Sequence, residues 1–171
     1  AVLGMNAEQI NAVVDPIANV QVANYNCPGQ IVISGLKEAV EEAAEKLKEA
    51  GARRIIPLNV SGPFHSYLLE EAGKKLGEFL EQVEIHRPEI PYVANVTAQY
   101  VTEADEVKPL LIRQVSSSVR WQQSVEYMIA DGVDRFVEIG QGKTLAGFVK
   151  KISRDVTVLN IEKLDDLEKL K

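Results

Sequence analysis

The sequence predicts a mixed α/β protein: a small ferredoxin-like βαββαβ unit over residues 1–58, then a longer α/β segment over 59–171. Three observations predict it. Through the first third, short β-branched runs alternate with helical stripes in the order β-α-β-β-α-β. Beyond residue 58 the apolar spacing lengthens into helices separated by single strands, the pattern of a parallel sheet covered on both faces. Finally, 46% hydrophobic against 26% charged residues suits a soluble chain with a substantial core.

Each element follows from local chemistry. Residues 1–3 are a short apolar stretch, and Asn6 is placed to cap a helix to about Val14, which Asp15-Pro16 ends. Residues 20–24 and 30–34 read as strands joined by the turn formers Tyr25-Asn26-Cys27-Pro28-Gly29. Leu36, Ala39, Val40, Ala43 and Leu47 then share one helical face, with Lys and Glu on the other and Gly51 as the stop. A strand over 53–58 completes the unit. Ser61-Gly62-Pro63-Phe64-His65-Ser66 is a turn, and Leu69, Ala72, Leu76, Leu80 and Val83 trace the helix after it. A loop bracketed by Pro88 and Pro91 leads into a run over 92–96. Helices follow around 106–115 and 121–130, then a strand over 136–139. The Gly140-Gln141-Gly142-Lys143 turn, a helix carrying Leu145, Phe148, Val149 and Ile152, a strand over 156–161 and a charged tail complete the chain.

Composition excludes several classes. Nineteen basic and 25 acidic side chains give a net charge of −6, which argues against binding nucleic acid by broad phosphate neutralisation. No run approaches the roughly 18 apolar residues that cross a bilayer. One cysteine allows no internal disulfide, and no charged-apolar-small leader precedes Ala1, so a reducing, cytoplasmic setting is expected. The opening Ala1-Val2-Leu3 reads as an element cut at its upstream end. Two histidines and one cysteine, far apart, form no zinc set, so neither metal nor cofactor is expected.

The residue with most chemical promise is His65. It follows a Gly-Pro turn and precedes a helix that Ser66 could cap, and a helix N-terminus disfavours imidazolium, leaving a neutral base. The plainer alternative is a surface or capping histidine. His86, in an Ile-His-Arg-Pro loop, carries only that alternative. None of the eight serines lies in a Gly-x-Ser-x-Gly elbow. Cys27 could pair with His65 as a thiolate nucleophile, or be an inert turn residue. Gly140-Gln141-Gly142-Lys143-Thr144 ends like a phosphate loop but lacks the upstream glycine, and reads as a tight strand-to-helix turn.

Four motifs in order carry a resemblance. Asn24-Tyr25-Asn26-Cys27-Pro28-Gly29-Gln30 resembles the Asn-x-Asn-x-Pro-Gly-Gln stretch of malonyl-CoA:acyl carrier protein transacylases. Ser61-Gly62-Pro63-Phe64-His65-Ser66 is similar to their catalytic-histidine loop. Arg113-Gln114-Val115 with Val119-Arg120-Trp121 resembles the next block, and Glu138-Ile139-Gly140-Gln141-Gly142-Lys143 their Glu-Val-Gly-Pro-Gly-Lys turn, with Gln141 in place of proline. The resemblance implies the C-terminal part of an α/β-hydrolase-like acyltransferase domain joined to a ferredoxin-like subdomain. It implies malonyl transfer from malonyl-CoA to acyl carrier protein through a serine ester, in fatty acid biosynthesis.

On the same resemblance, His65 is the general base and Gln114 orients it through its main-chain carbonyl. Phe64 favours malonyl over an α-methylated acyl group, and Asn24, Asn26 and Gln30 contact substrate. The family's Gly-His-Ser-x-Gly nucleophile, oxyanion-hole glutamine and carboxylate-pairing arginine have no match here. An upstream half of the same enzyme is therefore an implied partner, and the fragment alone is expected to be inactive. Arg53, Arg54, Lys150 and Lys151 are candidates for docking an acidic carrier protein, with ordinary solvated faces as the alternative. A non-catalytic ligand-binding module on the ferredoxin-like unit remains the competing reading.

Overall fold

The computed structural model describes all 171 residues. The chain divides into two compact units, Ala1–Ser124 and Val125–Lys171. The first begins with β1 (Val2–Leu3), α1 (Ala7–Val14), β2 (Val20–Cys27), β3 (Gln30–Gly35), α2 (Lys37–Glu49) and β4 (Arg54–Ile55). These strands form one sheet in the order β2-β3-β1-β4, with every neighbouring pair antiparallel. Asn6 caps α1 reciprocally with Gln9, at 2.9 and 3.0 Å. Val2, Ile10, Val14, Val22, Ile31 and Leu47 lie in the core beneath the sheet, so the apolar stripes of both helices are buried against alternating strand residues.

β2 is not a regular strand. Its register with β3 jumps between Val22 and Asn24 and again between Tyr25 and Cys27, so Ala23 and Asn26 are extra residues on the β2 side. Gly35 marks a close approach at the other end of the pair. A Cβ there would lie 2.0 Å from the carbonyl oxygen of Asn19 and 2.6 Å from Cα of Val20.

β4 is shorter than the strand expected over 53–58. Pairing to β1 is flanked by Arg53 N–H to Leu3 O and Ile56 N–H to Ala1 O, and then stops. The reason is reach: Ile56 already exchanges both hydrogen bonds with Ala1, the first residue of the chain, so no β1 residue lies opposite Pro57 or Leu58.

The segment after β4 departs from the residue pattern in two places. The helix expected to follow Ser66 is preceded by a 3-10 turn over Tyr67–Leu69, and α3 (Glu70–Glu81) begins only then. Ser66 does not cap it with its side chain, and the hydroxyl instead donates to Pro63 O at 2.6 Å. The run leading from Tyr92 is one arm of a hairpin, β5 (Tyr92–Ala94) with β6 (Gln99–Val101), whose second strand the short polar-apolar stretch gave no periodicity to find. α4 (Ala104–Ser116) follows, opened by a Glu103–Glu106 capping box. It packs closely on α3: a Cβ at Gly73 would sit 3.0 Å from Ile112 O.

After α5 (Trp121–Ala130), the second unit holds β7 (Arg135–Ile139), α6 (Thr144–Ile152) and β8 (Thr157–Ile161). The two strands are parallel, with Val137 opposite Leu159, as a crossover through α6 requires. The parallel sheet expected here is therefore only two strands wide, and it is not covered on both faces: Ile139 is 81% exposed and Val137 37%. The charged tail is ordered as a 3-10 segment over Leu164–Leu170. Asp166 accepts from the Glu162 and Lys163 amides at 2.9 Å each and from Lys169, which holds its carboxyl well below the usual carboxylate range. No helix is long and apolar enough to cross a membrane.

Gly35→Ala should destabilise the first unit by about 2 kcal/mol or more, because the new methyl meets backbone atoms that cannot rotate away. A chemical-denaturation midpoint equal to that of the parent chain would contradict this account of the β2–β3 junction.

Candidate active site

The first three motifs lie on separate parts of the first unit: the β2–β3 pair, the loop after β4 and the C-terminal part of α4. The Ser61–Ser66 turn is held as a tight loop by the Ser66 hydroxyl, which is fully buried on Pro63 O. At its tip His65 has φ +56, the left-handed region that bulky residues rarely adopt. Its ring turns toward the C-terminal part of α4, where Nδ1 lies 3.1 Å from the Gln114 carbonyl oxygen. A carbonyl can only accept, so Nδ1 carries the proton and the neutral imidazole keeps its lone pair on Nε2. The histidine and the main-chain oxygen expected to orient it are thus together.

The Gln114 side chain anchors the same neighbourhood by donating to Ser117 O at 3.1 Å. The strip after it is laced to the bulged strand β2. Ser118 Oγ donates to Val22 O at 2.5 Å, Val119 N–H to Ala23 O at 2.8 Å, and Tyr25 N–H to Val119 O at 2.9 Å. Asn24 forms a parallel bridge with Val119.

One residue holding the loop escaped the sequence reading. Gln21, in β2, donates through Nε2 to His65 O at 3.1 Å and accepts through Oε1 from Tyr67 N–H at 3.0 Å. Two residues earlier, Asn19 accepts from the Tyr67 hydroxyl at 2.5 Å. The only hint in the sequence is a glutamine between two buried valines, Val20 and Val22.

Phe64 precedes His65 with its side chain half exposed (50%). Asn24, Asn26 and Gln30 are half-buried at the turn end of the β2–β3 pair. Arg53 and Arg54 are exposed on the β4 edge of the sheet, and Lys150 and Lys151 in the last turn of α6, within the other unit. His86 is exposed, 3.8 Å from Glu84.

Two alternatives lose ground. Cys27 is fully buried, whereas a nucleophilic thiolate works from a partly exposed position. The phosphate-loop likeness fails because Glu138 occupies the start of α6. Its carboxylate accepts from Leu145 N–H at 3.1 Å and Ala146 N–H at 2.8 Å, the amides an incoming phosphate would need. Asn160 fixes the glycine turn itself by donating to Gly142 O at 2.7 Å.

Comparison with known proteins gives a consistent picture. A family model described as the acyl transferase domain matches residues 2–164. The malonyl CoA-acyl carrier protein transacylase of Bacillus subtilis strain 168 is 46% identical, the match covering 98% of this chain and 54% of that protein. A crystal structure of an acyl carrier protein S-malonyltransferase from Vibrio cholerae is 38% identical with a TM-score of 0.97, over 100% of this chain and 57% of that one. A malonyl-transacylase in complex with a type II PKS acyl-carrier protein has a TM-score of 0.94 at 36% identity, over 98% of this chain and 55% of that one. The chain spans about half the length of the relatives it matches.

The Gln114 contact predicts a tautomer. Long-range proton–nitrogen correlation spectra of the neutral imidazole of His65 should show a protonated Nδ1 and a bare Nε2. The reverse pattern is incompatible with the bond to the carbonyl.

Proposed function

The chain belongs to the acyl transferase domain family, and from that premise we propose that it is the general-base side of a malonyl-CoA:acyl carrier protein transacylase. The observation that carries the reading is the imidazole held 3.1 Å from a main-chain oxygen 49 residues away. That is the nucleophile-activating arrangement of a triad, with a peptide carbonyl in the place of a carboxylate.

In the proposed reaction a serine from the upstream half of the enzyme attacks the malonyl thioester carbonyl. Nε2 of His65 takes the hydroxyl proton and returns it to the departing coenzyme A thiolate, leaving malonyl as a serine ester. The carrier's phosphopantetheine thiol then gives its proton to Nε2 and attacks the ester, and the serine oxygen recovers that proton. The Nδ1–H bond to Gln114 O keeps Nε2 as the acceptor and supports the imidazolium that forms between the two halves of each step.

The remaining assignments follow from this reading. The Phe64 ring beside the base limits room for an α-methyl group, so malonyl is preferred to methylmalonyl. Asn24, Asn26 and Gln30 contact substrate from the β2–β3 turn. Residues 1–58 are assigned as the ferredoxin-like subdomain, in keeping with their strand order, and 59–171 as the C-terminal part of the larger domain. Arg53, Arg54, Lys150 and Lys151 are assigned to the acidic carrier, and the setting is cytoplasmic. The chain by itself is expected to turn nothing over, because it contains no Gly-x-Ser-x-Gly nucleophile.

Malonyl transfer should appear when the upstream half is added, and His65→Ala in the complete enzyme should lower its rate about a thousand-fold. Turnover by this chain alone, or a variant as fast as the parent, would overturn the assignment. In the complete enzyme Phe64→Ala should raise methylmalonyl relative to malonyl transfer about ten-fold. An unchanged ratio would remove Phe64 from acyl selection.

A further inference from the structure

His65 occupies a backbone conformation that its own chain does not favour, so something outside the loop must hold it there. The Ser66 hydroxyl closes the loop on Pro63 but touches neither the His65 carbonyl nor the Tyr67 amide. Gln21 takes both. One primary amide supplies a donor for the first and an acceptor for the second, spanning the two peptide units that follow the histidine. Only one orientation of the amide satisfies both bonds, since a flip would set oxygen against oxygen and N–H against N–H.

The ring's other partner is referred to the same strand. Gln114 Nε2 bonds Ser117 O, and Ser118 and Val119 bond the carbonyls of Val22 and Ala23. The main chain of His65 and the carbonyl that orients its ring are thus both tied to β2, at residues 21, 22 and 23.

We propose that Gln21 is a positioning residue, setting the imidazole of His65 against Gln114 O by clamping His65 O and Tyr67 N–H. It touches no reacting atom. Side chains of similar length cannot replace it: Met offers neither group, and Glu keeps the acceptor for Tyr67 but loses the donor for His65. The Tyr67 hydroxyl on Asn19 reinforces the same junction. As a contributor to transfer, Gln21 rests on the acyltransferase reading; as a clamp on the ring it does not.

The test therefore has two arms. In this chain, Gln21→Met should speed solvent exchange of the His65 Nδ1 proton at least about ten-fold while the amide spectrum of the β2–β3 pair stays in place. In the complete enzyme the same substitution should lower kcat about ten-fold or more and leave KM for malonyl-CoA within about two-fold, as expected when orientation rather than binding is lost. Should Gln21→Met fail to fold, Gln21→Glu asks the same question, because only the donor to His65 O is removed. Unchanged Nδ1 exchange in a folded variant would overturn the proposal. Faster exchange together with full transfer by the His65→Ala enzyme would leave the clamp standing and sink the acyltransferase reading instead.

Discussion

A hydrogen bond between an imidazole and a main-chain carbonyl is only as well aimed as the two backbones that carry it. His65 and Gln114 lie 49 residues apart, on a strained loop and near the end of a helix. β2 supplies the common reference, with Gln21 on one side and the carbonyls of Val22 and Ala23 on the other. The bulge at Ala23 belongs to that arrangement, because this extra residue, with no partner of its own in β3, gives its carbonyl to Val119. A small sheet that looks like a mere appendage thus sets the geometry of a residue outside it.

Much of this was legible from residue patterns. Asn6, the charged and apolar faces of the second helix, and Gly51 marked their elements because capping, amphipathicity and a left-handed stop are local effects. The ring contact to Gln114 was legible only through resemblance, since nothing in the spacing of two residues 49 apart brings them together. Gln21 left no more trace than a polar residue between two valines, because a half-buried polar side chain in a strand shows its purpose only when its partners are in view. The β5–β6 hairpin was half missed: both strands are three residues long, too short for a period of two to register, and only the first has flanking prolines, Pro88 and Pro91, to mark where it begins.

Electrostatics at the ends of helices divides the plausible from the merely similar. The Gly140–Lys143 turn shares its last residues with a phosphate loop, yet a carboxylate from the preceding strand already satisfies the first amides of α6. The glycines serve a strand-to-helix connection, locked by Asn160. At the other end of α6, Lys150 and Lys151 lie where positive charge is favoured by the helix itself, so their presence needs no partner to explain it.

An orienting group that belongs to the main chain has consequences of its own. It has no acid form, so no drop in pH can switch it off, and it adds no negative charge beside the imidazole. It is also hidden from side-chain scanning, because every amino acid placed at position 114 brings the same oxygen. Truncating Gln114 would disturb only the brace to Ser117. Residues of this kind are underrated in mutational surveys, and their importance has to be sought in whatever fixes the path of the backbone.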